Sequence, residues 1–294
     1  MTTSPDPKSS DSRPDLSKPL GGLSSSDGRE ETSNPVSATI ATTDDSFLGG
    51  ALQILQPQRG YRAGIDAVLL AAAINADEAN GGQLLDLGAG VGTIGLCAAQ
   101  RIQSLTVTLL EKQPELCRLA RENAARNGLT DRVTCVETAI GAASDDLNRA
   151  GLHDNAFTHV VANPPFMDAH QGTLSEKPLK ATSHTMSETQ HLNDWGRFMA
   201  RMSRQGGTAM MIHKAEALYE VLACLEGRFG SLTVLPIHPR ADEPANRIIV
   251  RGIKGSRRSI AIRPGLVLHG NGNKFTPQID AVLRCGEPLS FPPH

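Results

Sequence analysis

The chain has 294 residues, 39% hydrophobic and 20% charged, with a formal net charge of −2. That length supports one large core or two smaller ones, and the composition is that of an ordinary globular protein. A nearly neutral total excludes attraction of nucleic acid by the molecule as a whole, so any basic surface has to be local. Five cysteines, Cys97, Cys117, Cys135, Cys224 and Cys285, are scattered and lack CxxC or Cys/His spacing. They argue against a disulfide framework or a zinc site and for a reducing compartment. No run of about eighteen apolar residues is present to span a membrane.

Residues 1–45 are Ser, Thr, Pro, Asp and Gly with hardly an apolar side chain, which predicts a disordered tail with the character of neither a signal nor a transit peptide. Residues 46–294 form the expected domain. Phe47 to Pro57 suggests a hairpin of two short strands, and Asp66 is placed to cap a helix running through Asn75, with Val68, Leu69 and Ala72 on one face. Gln83-Leu84-Leu85 reads as a buried strand, followed by Asp86-Leu87-Gly88-Ala89-Gly90-Val91-Gly92 and a helix from Thr93 to Ala99. Glycine at every second position lets the backbone turn sharply and approach a ligand where a Cβ would clash. The helix that follows aims its positive end at the same spot. A dinucleotide loop would need its third glycine where Thr93 stands. Asp86, ahead of the first glycine, suits a cationic or hydroxyl-rich ligand better than a phosphate. The next strand, Val107 to Leu110, ends in Glu111 with Lys112 beside it. Glu111 is either a solvated strand-end charge or an acceptor for ribose hydroxyls. Together Asp86 and Glu111 favour a nucleoside ligand without phosphates.

The alternation then repeats: a helix from Glu115 to Asn127 stopped by Gly128, strands at 133–136 and 158–162, a helix over 190–204, a strand at 208–212 and a helix over 215–229. Leu232 to Pro236 and Ile248 to Gly252 look like a closing strand pair. Such a pattern gives a parallel sheet covered on both faces, with ligands bound beyond the carboxyl ends of the strands. The glycine loop and Asn163-Pro164-Pro165-Phe166 both fall at such ends. Met167 to Thr189 is polar and without period, and is expected to be a mobile flap over the substrate. His170, His184 and His191 lie in or beside it and read as solvated or phosphate-contacting. Beyond Pro239, Arg240, Arg247, Arg251, Lys254, Arg257, Arg258 and Arg263 face only Asp242 and Glu243, a local excess of five positive charges. That cluster is either a solvated face or a grip on phosphate, with Arg240, Arg247, Arg257 and Arg258 the candidates. Ser259 to Leu268, a turn at 270–272 and a helix from Pro277 to Arg284 capped by Thr276 should pack as an appendage.

The Asp-Leu-Gly-Ala-Gly-Val-Gly loop, the acid closing the next strand and Asn-Pro-Pro-Phe closing a later one resemble the class I S-adenosylmethionine-dependent amino-methyltransferases. Within these, Gln58 to Leu70, just ahead of the glycine loop, resembles the branch that N6-methylates an adenine in the anticodon loop of tRNA(Val). The resemblance spans roughly Phe47 to Leu289. It implies a Rossmann-like α/β fold of seven mostly parallel strands with helices on both faces. It also implies that S-adenosylmethionine is held by Arg62, Asp66, Asp86, Gly88, Ala89, Gly90, Gly92, Glu111, Lys112 and Asn163, with the Arg62-to-Asp66 loop closing over its methionine end. One departure stands out: relatives often carry an acid after the third strand for the cofactor adenine, and Ala139 occupies that place here, leaving backbone groups or a shifted Glu137.

The expected catalytic set is Asn163, Pro164, Pro165 and Phe166. An exocyclic amino group is a poor nucleophile because its lone pair is delocalised into the ring. The Asn163 side-chain oxygen and the Pro164 carbonyl can each accept one of its N–H bonds, drawing the nitrogen toward tetrahedral geometry. Prolines hold these acceptors rigidly, and Phe166 offers a face for the extruded base, worth roughly 1–3 kcal/mol. Asn cannot take the proton, so no general base is expected at attack. The implied partner is RNA, specifically tRNA, in the cytoplasm, with no DNA, membrane or metal. Open alternatives are a glutamine of release factors, guanine N2 of ribosomal RNA, and a catalytically idle RNA-binding factor.

Overall fold

The computed structural model describes residues 40–60, 62–75, 81–166, 188–270, 272–289 and 291. Its first elements are strands β1 (Thr42–Phe47) and β2 (Leu52–Pro57), antiparallel in the register Thr42↔Pro57 to Phe47↔Leu52. Composition alone predicted disorder up to residue 45, yet β1 begins at Thr42. Backbone pairing with β2 and the ion pairs Asp44–Arg126 at 2.6 Å and Asp45–Arg62 at 2.5 Å supply the order that apolar side chains do not.

Next come α1 (Ile65–Ala72), β3 (Gln83–Leu87), α2 (Thr93–Arg101), β4 (Thr106–Glu111), α3 (Pro114–Arg126), β5 (Val133–Glu137), α4 (Ser144–Arg149) and β6 (Phe157–Ala162). They are followed by α5 (Glu188–Met202), β7 (Ser203–Lys214), α6 (Leu218–Leu225), β8 (Phe229–His238), β9 (Arg247–Lys254), the short β10 (Ala261–Ile262) and β11 (Leu266–Val267), and α7 (Pro277–Cys285). Most boundaries agree with the pattern reading to within a few residues. The helix expected over 215–229 is shorter, because Gly227 adopts φ 72° and Phe229 already belongs to β8. The short α4 was not anticipated. Thr276 caps α7 as expected, its side chain accepting from the Ile279 N–H. The stretch expected to be a flap lies, up to residue 187, outside the described residues, as do His170 and His184.

The large sheet runs β10-β8-β9-β7-β6-β3-β4-β5, with β11 also on β8. Its seven main strands are all parallel except β9, which is antiparallel to both β7 and β8. The two short strands on the free side of β8 extend the expected seven and explain how the appendage packs. Between β3 and β6 the strand order reverses, and such a switch point opens a crevice at the carboxyl ends.

Alternate residues feed two apolar layers. Leu84, Leu109 and Ile249 face α1, α2 and α3, with Leu69, Leu96 and Leu119 packed there. Leu85, Leu87, Val160 and Val250 face α5 and α6, with Phe198, Met199 and Val221. Burying each such leucine contributes roughly 1.5–3 kcal/mol. Cys117 of α3 and Cys135 of β5, far apart in sequence, bring their sulfurs within 2.6 Å as free thiols. Among the described residues no helix is long and apolar enough to cross a membrane.

Candidate active site

The glycine loop leaves β3 and enters α2. Gly90, at φ 58°, has open space where a Cβ would stand, so the bare backbone faces the crevice. Gly88 has a different constraint: a Cβ there would lie 2.6 Å from Cη2 of Trp195 on α5. Gly92 is the N-cap of α2 at φ 89°.

Asp86 is fully buried behind this loop. Its Oδ2 accepts from the Gly95 N–H at 3.0 Å, tying strand to helix, while Oδ1 has no partner among the described residues. Burial pushes its pKa up to about 7, opposed by the Gly95 N–H and helped by the nearby Glu111 charge. Asp86 thus braces strand against helix, its strand position turning the carboxylate inward. Ala89, also buried, donates its N–H to Leu110 O at 2.9 Å and stitches the loop to β4.

Glu111 closes β4 with Oε2 accepting from the Gly90 N–H and Oε1 from the Gln113 N–H, both at 2.9 Å. A carboxylate offers about four lone-pair sites, so each oxygen retains capacity for a hydroxyl donor. Glu111 belongs to the wall of a cavity of about 350 Å³ shared with Gly88, Gly90, Lys112, Asn163 and Pro165. Trp195, Ala139 and Ile140 line it too, and Trp195 was not singled out among the expected site residues. Ala139 is part of this wall, whereas Glu137 is exposed and not part of it.

Arg62 and Asp66 are likewise not part of the wall. Arg62 donates to Asp45 Oδ2, Thr43 Oγ1 and Pro57 O, fastening the hairpin. Asp66 is not the cap of its helix. Gly64 holds that position, and Asp66 sits in the first turn, where its charge suits the helix dipole and its Oδ2 accepts from Arg247 Nε at 3.0 Å.

Register puts Ala162, the last residue of β6, level with Leu87 and Met211, so Asn163 emerges beside Gly88. Pro164 is buried, Pro165 exposed and Phe166 half-buried. The Phe166 ring meets the His213 ring edge-on at 4.9 Å, with Arg247 Cζ 5.0 Å and Lys214 Nζ 5.7 Å from its centroid. Burial lowers the His213 pKa to about 4, with the Lys214 and Arg247 charges adding and a backbone hydrogen bond at Lys214 opposing. Its imidazole is neutral at ordinary pH and a poor base. Neither His213 nor Lys214 was singled out in the sequence.

The basic cluster is split between the two ends of the sheet. Arg247 lies opposite Lys214 at the carboxyl edge, whereas Ile253 lies opposite Thr208. Six residues of strand separate these levels, about 20 Å. Arg257 and Arg258, exposed in the turn after β9, thus stand at the far end of the sheet from Asn163. Arg251 is buried and donates to Phe291 O, and Lys254 Nζ donates to Asn155, Ala200 and Ser203 oxygens. Arg240 follows β8 at the carboxyl edge and pairs with Glu243 at 2.8 Å.

Residues 63–235 match the family model described as Methyltransferase small domain. A Shewanella amazonensis protein named tRNA1(Val) (adenine(37)-N6)-methyltransferase is 37% identical over 129 residues, 44% of this chain and 51% of that protein. A Vibrio campbellii protein of the same name is 23% identical over 192 residues, 65% of this chain and 75% of its own length. The chain thus spans about half the length of the first of these relatives. Among solved structures, a predicted O-methyltransferase from Agrobacterium tumefaciens aligns with a TM-score of 0.64 at 28% identity, over 76% of this chain and 98% of that one.

Proposed function

The chain belongs to the Methyltransferase small domain family, and from that premise we propose that it transfers a methyl group from S-adenosylmethionine to an exocyclic amino nitrogen, adenine N6 of a transfer RNA. The observation that carries this reading is that Asn163 and Pro165 share one cavity wall with Gly88, Gly90 and Glu111. These residues suit the cofactor: Gly90 leaves room against bare backbone, Glu111 keeps acceptor sites for ribose hydroxyls, and Ala139 and Ile140 present apolar surface for a base. When bound, S-adenosylmethionine supplies an electrophilic methyl group.

Asn163 Oδ1 and the Pro164 carbonyl accept the two N–H bonds of the amino group and orient its lone pair. Phe166 takes the base against its ring. An oxygen nucleophile would have to lose its proton before attack, and neither Asn163 nor His213, with its pKa near 4, is suited to remove it. That weighs against the oxygen chemistry in the name of the Agrobacterium protein. Guanine N2 and a glutamine amide offer the same pair of donors, and the names of the relatives favour adenine. A transfer RNA substrate implies work in the cytoplasm.

The test is to incubate purified protein with S-adenosylmethionine and unmodified transfer RNA, then digest to nucleosides for mass spectrometry. N6-methyladenosine is the expected product. Methylated guanosine instead, or methylation of a release factor alone, would overturn the assignment.

A further inference from the structure

Lys214 closes β7, Arg247 opens β9, and the two are directly opposed in the antiparallel register. Like charges in that relation repel and weaken the pairing. Each also has an acidic partner. Lys214 Nζ is 3.5 Å from a Glu216 whose side chain is 78% exposed, and Arg247 Nε donates to Asp66 at 3.0 Å. The Lys214–Glu216 pair, exposed on its acidic side, is weak and screened by salt, whereas the Arg247–Asp66 pair is half-buried. Both cations also stand over the ring of Phe166, with the neutral His213 at its edge. Two like charges are thus placed directly opposite each other at the rim beside Asn163, a local choice of the kind found at functional sites.

We infer that Lys214 and Arg247 form a clamp for the phosphodiesters flanking the nucleotide whose base meets Phe166. The inference rests on the reading of the substrate as RNA. A phosphate between the two strands would offset the mutual repulsion of the opposed cations. Arg247 can present two parallel donors to it, and Lys214 a point charge. Drawn toward phosphate, both cations would leave the ring face to the base.

The experiment compares wild type with Lys214→Gln, Arg247→Gln and the double variant. It uses a transfer RNA that the wild type methylates, with binding measured from low to moderate salt. Each single change should reduce the log–log salt slope by about one, with S-adenosylmethionine affinity unchanged. A second RNA carries uncharged methylphosphonates on either side of the methylated adenosine. It should bind wild type more weakly than the parent RNA does, and the double variant equally well. An unaltered slope, or equal weakening of both proteins by methylphosphonate, would overturn the clamp while leaving adenine methylation standing. A wild-type protein that neither binds nor methylates transfer RNA would remove the function reading and the clamp with it.

Discussion

From Gly88 to Gln113 the cleft is walled largely by backbone: a bare Gly90, and amides of Gly90 and Gln113 that fix the Glu111 carboxylate. Beyond Asn163, outside that wall, the rim is built by side chains from separate elements, with Phe166 after β6, His213 and Lys214 from β7, and Arg247 from β9, itself paired with Asp66 of α1. The first region is made by one strand–loop–helix unit and the strand beside it. It should fail through shape. The second is assembled across the sheet by register, and should fail through charge and hydrogen bonding.

The largest effect should come from breaking the backbone wall. Gly90→Val places a branched side chain in the cavity at a positive φ, and calorimetry should find no S-adenosylmethionine binding in a variant whose circular dichroism is intact. Binding of wild-type strength would mean that the cofactor lies elsewhere. Asn163→Ala, at the junction of the two regions, should keep that binding and lower turnover by about 10²–10³. Half the wild-type rate would remove Asn163 from the chemistry.

A third measurement sharpens the contrast from behind the loop. Asp86 takes up its proton more readily folded than unfolded, so the stability it contributes is fully present below its ordinary value of 3.8 and is lost as pH rises toward about 7. Urea denaturation should show this loss at about 1.4 kcal/mol per pH unit in that window. Asp86→Asn should flatten the profile. A wild-type curve no steeper than the variant's would mean that the carboxylate is ionised at little cost. The smallest effect is expected at the opposite end of the sheet. Arg257→Ala with Arg258→Ala should leave both turnover and the salt slope for transfer RNA unchanged, and a slope lower by one or more would bring that turn into contact with the substrate.

What the sequence made legible follows the same division. The glycine loop, Glu111 and Asn163-Pro164-Pro165-Phe166 are contiguous runs whose spacing states their geometry, and hydrophobic periodicity is enough to order the strands between them. Asp86 could be placed at a strand end but not assigned a face, so its burial was missed. Arg240 to Arg263 could be counted but not directed. Because β9 runs antiparallel, its cations are shared between two ends of the sheet, and only the register reveals that Arg247 belongs with Lys214 and Phe166. Trp195 gave no local signal either, since α5 is brought against Gly88 by packing alone.

Trp195 is the chain's only tryptophan. Its indole closes against the glycine loop and lines the same cavity as Glu111 and Asn163. All the tryptophan emission of the molecule therefore originates at the cleft. A ligand entering beside Gly88 changes the surroundings of the sole emitter, so occupancy can be followed by fluorescence in the unmodified protein, with no label, no turnover and no signal from any second site.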